Sequence, residues 1–232
     1  MIKSQKRLRL IGRIACWVSS WLIFWMFMIS GPGFAGENID SVLDSLEKTY
    51  SGKSFSAGFS QISTLKVLDI TETASGKAWF SHPGKMKWLY TAPDQHEIIT
   101  NGQSVWIYRP DQTQVMVGHA GKFFKSGAGG AFLSDIGLIR KSFQISIHAT
   151  DPAWVELALD AQEGQPAKND SGETMTIIIR VSRESHEISR VTTVNVHGDT
   201  TLFEFTDIRF APIPAAFFEF TIPDGTSVIE ME

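Results

Sequence analysis

Side chains able to carry proton-transfer or metal chemistry are scattered along this 232-residue chain. Its six histidines, His82, His96, His119, His148, His186 and His197, stand singly. None is paired at the i, i+4 spacing that sets two imidazoles on one helix face for zinc. The run Ser126-Gly127-Ala128-Gly129-Gly130 has the flexibility of a phosphate cradle but lacks the Lys-Ser/Thr that would hold phosphate and magnesium. No Gly-x-Ser-x-Gly turn is present to raise a serine nucleophile. A carboxylate pair for glycosidic hydrolysis leaves no local signature, so that one enzyme class stays open. The chain is otherwise expected to be non-enzymatic, with no catalytic residue, metal or cofactor. What it has in excess is bulky apolar side chains at alternate positions, and the chemistry those support is the sheltering of apolar ligands from water.

The N-terminus says where that would happen. Lys3, Lys6, Arg7, Arg9 and Arg13 precede an apolar stretch from Ile14 to Ile29, followed by Gly31, Pro32 and Gly33. A basic segment, a short apolar segment and small residues at Gly33 and Ala35 form an export signal, expected to be cleaved near Ala35/Gly36. Residues 1–35 are thus read as a signal peptide and residues 36–232 as one domain in the periplasm. The only cysteine, Cys16, falls within the leader, which leaves the mature chain without disulfide or lipid anchor. Removing five of 21 basic residues and none of the 25 acidic ones brings the net charge to about −9, which disfavours nucleic acid and anionic membrane surfaces.

The elements follow from periodicity. Asn38 can cap a helix in which Ile39, Val42, Leu43, Leu46 and Tyr50 recur at helical spacing, with Gly52 ending it. From Phe55 the period becomes two. Met86, Trp88 and Tyr90 alternate with Lys87 and Leu89, and Asn101-Gly102 between two such runs is a hairpin signal. Further strands are expected at Gly76–Ser81, Glu97–Thr100, Ser104–Tyr108, Gln114–Val117, Phe143–Ala149, Trp154–Asp160, Thr174–Val181, Ile188–Val196, Thr201–Phe210 and Phe217–Ile222. Residues 164–172 read as an exposed loop. The Gly127–Gly130 stretch feeds a second short helix carrying Phe132, Leu133, Ile136 and Ile139. The fold class is therefore mainly β, dominated by antiparallel sheet: either an ordinary sandwich core, or a sheet that curls around one side with two short helices plugging the opening to form a lidded pocket. Its lining is expected from Leu43, Leu46, Phe59, Trp79, Trp88, Tyr90, Trp106, Tyr108, Phe132, Leu133 and Ile136.

Six segments in order resemble a known family. They are residues 55–61 (FSAGFSQ), 76–80 (GKAWF), 82–90 (HPGKMKWLY) with Pro93 and Asp94, 98–102 (IITNG), 105–108 (VWIY) with Pro110, and 218–225 (FEFTIPDG). Together they are similar to the periplasmic outer-membrane lipoprotein carriers called LolA. The resemblance implies an incomplete antiparallel β-barrel of about 11 strands, its apolar cavity closed by a lid of short α-helices, and a monomeric carrier of lipoproteins, bound through their acyl chains. An inner-membrane ABC-type lipoprotein release complex would load it, and an outer-membrane lipoprotein acceptor would unload it. It also implies a lid latch at His82 and a partner-contacting rim at Met86. Where the family usually has arginine, this chain has His82, which offers fewer donors. A latch that is weaker, acid-sensitive or supplied by Lys85 or Arg109 is the expectation. A same-fold carrier of another acylated lipid, such as a glycolipid or aryl-polyene-type lipid, remains open at this point. So do a lipid- or stress-sensing domain and a fully packed structural sandwich.

Overall fold

The computed structural model describes residues 38–125, 133, 136–161 and 175–231. Residues 1–35, read as a signal peptide, the Gly127–Gly130 stretch, Phe132 and residues 164–172, read as a loop, lie outside the described residues. Helix α1 (Ile39–Tyr50) starts where the Asn38 side chain accepts a hydrogen bond from the Asp40 N–H at 3.0 Å. It stops where Gly52 takes φ +68°, a conformation that favours glycine. Its buried residues are Leu43, Leu46 and Tyr50, one stripe at i, i+3 and i+7.

Twelve strands follow: β1 (Ser54–Leu65), β2 (Ile70–Ser81), β3 (Lys85–Ala92), β4 (His96–Thr100), β5 (Ser104–Arg109), β6 (Gln114–His119), β7 (Phe143–Thr150), β8 (Trp154–Ala161), β9 (Met175–Ser182), β10 (Ile188–Asn195), β11 (Thr200–Phe210) and β12 (Ser227–Glu230). Short helices α2 (Ala120–Lys125) and α3 (Gly137–Ser142) lie between β6 and β7. All strands join one sheet in the order β12-β6-β5-β4-β3-β2-β1-β11-β10-β9-β8-β7. Neighbours run antiparallel except β12, which lies parallel to β6. The sheet does not close, so β7 and β12 are its edges. No helix among the described residues is long and apolar enough to cross a membrane.

Residues directly opposite in a ladder share a face. The register therefore assigns two faces. Ala57, Ala78, Trp88, Ile98 and Ile107 lie opposite one another across five strands. They continue on the other side of β1 through Phe203, Val191, Ile179 and Leu157. This face packs against α1, Leu133, Ile136 and Ile139 in a single apolar cluster. The opposite face carries Trp79, Ile99, Trp106, Tyr108 and Val115, and is covered by the chain segment after β11. That segment lays the Phe217 ring 5.4 Å from Trp79 and the Phe220 ring 5.3 Å from Tyr108, and buries Phe218 completely.

Among the described residues the strands number twelve where about eleven were expected, β12 having passed unnoticed. One expectation is corrected. Residues 217–222 are not a strand: Ala215–Phe218 is a 3₁₀ turn and the rest is extended without a partner. Pro212, Pro214 and Pro223 lack the N–H that a ladder needs, and alternate aromatics there anchor a strap across the sheet. Of the second helix, expected to carry Phe132, Leu133, Ile136 and Ile139, residues 131, 132, 134 and 135 lie outside the described residues; α3 covers Gly137–Ser142, and α2 was not anticipated.

Gly76 shows how tightly β2 and β3 approach beneath Phe59. A Cβ there would sit 2.0 Å from the Leu89 carbonyl oxygen and 3.0 Å from the Phe59 ring. Backbone must move to admit it, so Gly76→Ala is expected to lower unfolding free energy by about 2 kcal/mol or more. Chemical denaturation measures this, and an unchanged midpoint would contradict the close approach.

Candidate functional site: an aromatic sheet face under two helices

The site is built from strand residues one side and helix residues the other. On the sheet, the Phe59 ring lies edge-on to Trp88 at 4.8 Å and to Tyr90 at 4.9 Å. Trp88 in turn meets Phe80 at 5.6 Å and Phe203 at 5.2 Å. Over them lie Leu43, Leu46 and Tyr50 of α1, with Leu133, Ile136 and Ile139. All six of these covering side chains are at most 4% exposed. These side chains and the sheet's aromatic residues form one buried apolar cluster. An open depression of about 400 Å³ lies elsewhere, lined by Ser45, Lys48, Thr49, Lys53, His186 and Phe210. Its basic and hydroxyl lining does not suit an acyl chain.

Of the expected lining, the structure brings together Leu43, Leu46, Phe59, Trp88, Tyr90, Leu133 and Ile136. It does not bring Trp79, Trp106 or Tyr108, which stand on the opposite face beneath the strap. The difference is one of parity: each lies in a correctly read strand, but a one-residue offset reverses the face. Phe132 lies outside the described residues. Met86, expected at a partner-contacting rim, is 1% exposed and packed within the cluster. No partner reaches it while the helices are down.

His82, at the β2–β3 turn, donates its backbone N–H to the Lys53 carbonyl at 3.2 Å, and its ring lies 6.4 Å from Tyr50 and 6.3 Å from Phe55. It therefore sits by the last turn of α1. A tie between α1 and α3 comes from a residue that sequence reasoning missed. Arg140 of α3 donates to the Asp40 carboxylate at 2.8 Å, to the Asp40 carbonyl at 3.1 Å, to the Glu47 carboxylate at 2.9 Å, and to the Asp44 carboxylate. One guanidinium thus bridges three acids on one stripe of α1. Partial burial opposes its charge, but hydrogen bonds to Asp40 and Glu47 outweigh that and hold it above its ordinary range. The acids at 40, 44 and 47 were a readable signal, since a helix stripe of three carboxylates calls for a cation. Neither Lys85 nor Arg109 is seen in that role.

Both tyrosine hydroxyls in the cluster are answered. The Tyr90 hydroxyl donates to Gln61 Oε1 at 2.9 Å, and the Tyr50 hydroxyl accepts the Ile188 N–H at 2.8 Å. His96 stacks on Tyr90 with centroids 4.0 Å apart. Among the described residues no group of three His, Cys, Asp or Glu is placed to hold a metal ion.

Residues 51–221 match the family model described as outer membrane lipoprotein carrier protein LolA. The chain belongs to the LolA family. Similar curated relatives are outer-membrane lipoprotein carrier proteins from Nitrosospira multiformis, 28% identical over 89% of this chain and 95% of that one, and from Nitrosomonas europaea, 30% identical over 78% and 86%. A solved structure of an uncharacterised conserved protein from Thermus thermophilus shares the fold, with TM-score 0.53 at 9% identity over 83% of this chain and 98% of that one. LolA proteins are carriers rather than enzymes, and the mainly β architecture expected from the motifs is the one observed.

Two outcomes follow. The side chains of Asp40 and Asp44 are 78% and 75% exposed, so each pair contributes about 1 kcal/mol or less and is screened by salt. Arg140→Gln should therefore speed amide hydrogen exchange in α1 and α3 with little change in the sheet, and added salt should do the same to the unaltered protein. Exchange rates indifferent to both would show that the clamp holds nothing. Burial pushes the pKa of His96 down, against the opposing hydrogen bond to the Asp94 backbone. A folded-state value below the unfolded one means that stability is full above the unfolded pKa of about 6.5 and falls as pH drops toward the folded value. Acid titration of unfolding free energy should be shallower in His96→Gln.

Proposed function

We propose that this chain is a periplasmic carrier that takes up the acyl chains of lipoproteins released from the inner membrane and delivers them to the outer membrane. The observation that carries the reading is an aromatic sheet face closed by two helices whose mutual tie is largely solvent-exposed. Strong, dry packing makes the site. A weak, wet clamp keeps it shut.

Magnitudes support reversible carriage. Each methylene withdrawn from water contributes about 0.8 kcal/mol, so a chain of about 16 carbons contributes roughly 12 kcal/mol. Lifting the six covering side chains gives up about 9–18 kcal/mol if all of them reach water. The two are comparable. Release then needs no nucleotide on this chain, since the lid's return offsets the loss of an acyl chain. Extraction from the inner membrane is assigned to an ABC-type lipoprotein release complex, and receipt to an outer-membrane lipoprotein acceptor. The carrier acts as a monomer, exported by residues 1–35 and cleaved near Ala35/Gly36.

The test is capture of the carrier from periplasm with its cargo, identified by mass spectrometry. Acylated lipoproteins should co-purify, and a lipoprotein whose acylated cysteine is replaced should not. Recovery of free acylated lipids without protein would instead mark a lipid carrier, and recovery of neither would reject carriage. Leu43→Glu puts a charge beneath α1. It should reduce co-purification at least tenfold while the sheet still folds.

A further inference from the structure

We propose that the indole N–H of Trp88 is the hydrogen-bond donor for a carbonyl oxygen at the head of the bound acyl chain, an ester or amide. This rests on the carrier reading and names the chemistry that the site recognises within it.

Trp88 is 1% exposed, and its Nε1 is buried with no hydrogen-bond partner. Leaving such a donor unmade is costly, and a native core rarely does so without a use for it. Its neighbours make the exception plain. Within the same cluster the Tyr90 hydroxyl has Gln61 and the Tyr50 hydroxyl has Ile188. Around Trp88 the rings of Phe59, Phe80, Phe203 and Phe205 offer faces and edges, which at best make a weak contact with an N–H. A phenylalanine would fill much of this space without an unanswered donor.

The setting also selects the acceptor. The rings that meet Trp88 are those of Phe59, Phe80, Tyr90, Phe203 and Phe205, and Gln61, which answers Tyr90, is uncharged, so a phosphate or carboxylate would find no countercharge in these groups and pay its full desolvation. A bare hydrocarbon has no acceptor at all. A neutral carbonyl attached to a long chain meets both conditions. Trp88 lies on the helix-covered face between Ala78 and Ile98, so it becomes available when α1 and α3 give way to the chain.

The experiment compares dipalmitoylglycerol with its dihexadecyl ether analogue, each delivered from cyclodextrin, by displacement of a fluorescent fatty-acyl probe from the full mature chain. The unaltered protein should bind the ester about tenfold more tightly than the ether, the worth of one good hydrogen bond. Trp88→Phe should bind the two alike, the ester-to-ether affinity ratio falling to about one whatever the change in overall affinity. No preference in the unaltered protein, or a preference that survives in Trp88→Phe, overturns the assignment. Failure of both lipids to bind rejects the carrier reading itself. Should Trp88→Phe not fold, the indole ¹H–¹⁵N resonance of Trp88 decides: it should move downfield with the ester and not with the ether, and a resonance that the ester leaves in place overturns the proposal.

Discussion

An apolar site that must sometimes be empty cannot be left as empty space. Protein interiors tolerate few voids, and apolar surface opened to water is unfavourable at about 25 cal/mol per Å². This chain meets the constraint by making the cover and the filling the same object. Leu43, Leu46 and Tyr50 on α1, with Leu133, Ile136 and Ile139, rest on the aromatic sheet face, the place that the proposed function assigns to an acyl chain. On that proposal the unliganded state competes with the ligand, which would let binding be strong enough to carry and weak enough to end.

The two faces of the sheet divide the labour. On the opposite face, the strap holding Phe217, Phe218 and Phe220 covers Trp79, Trp106 and Tyr108, and β12 extends it by pairing with β6. Asn101 ties that strap to the β4–β5 turn through Glu219 at 3.0 Å. On the helix-covered face the tie is Arg140 against Asp40, Asp44 and Glu47, exposed enough to be weak. The sheet can thus stay rigid while the helices move. That asymmetry follows from what each cover is made of: chain continuous with strands on one side, two short helices on the other.

Much of this was legible in the residues. The alternation of Met86, Trp88 and Tyr90 located β3 and its buried side, and the cap at Asn38 located α1 to the residue, because both depend on local geometry alone. Parity was harder. Trp79 is as bulky as Trp88, and composition cannot say that Ala78 and Phe80, rather than Trp79, face the helices; the ladder register does. The strap read as a strand because Phe218 and Phe220 alternate, and only the absence of a neighbouring strand distinguishes the two. Arg140 was missed because its partners lie 93 to 100 residues earlier in the chain, a separation that no local pattern spans.

The central claim is that cargo and helices occupy the same place in turn. It is tested most directly by pulsed electron–electron spin resonance between labels at Ser41→Cys on α1 and Glu72→Cys on β2, both exposed positions, in the mature chain with and without an acylated lipoprotein. The account requires the distance distribution to lengthen and broaden when cargo binds. A distribution that stays in place with cargo demonstrably bound would contradict it, because the acyl chains would then be housed somewhere other than under the helices.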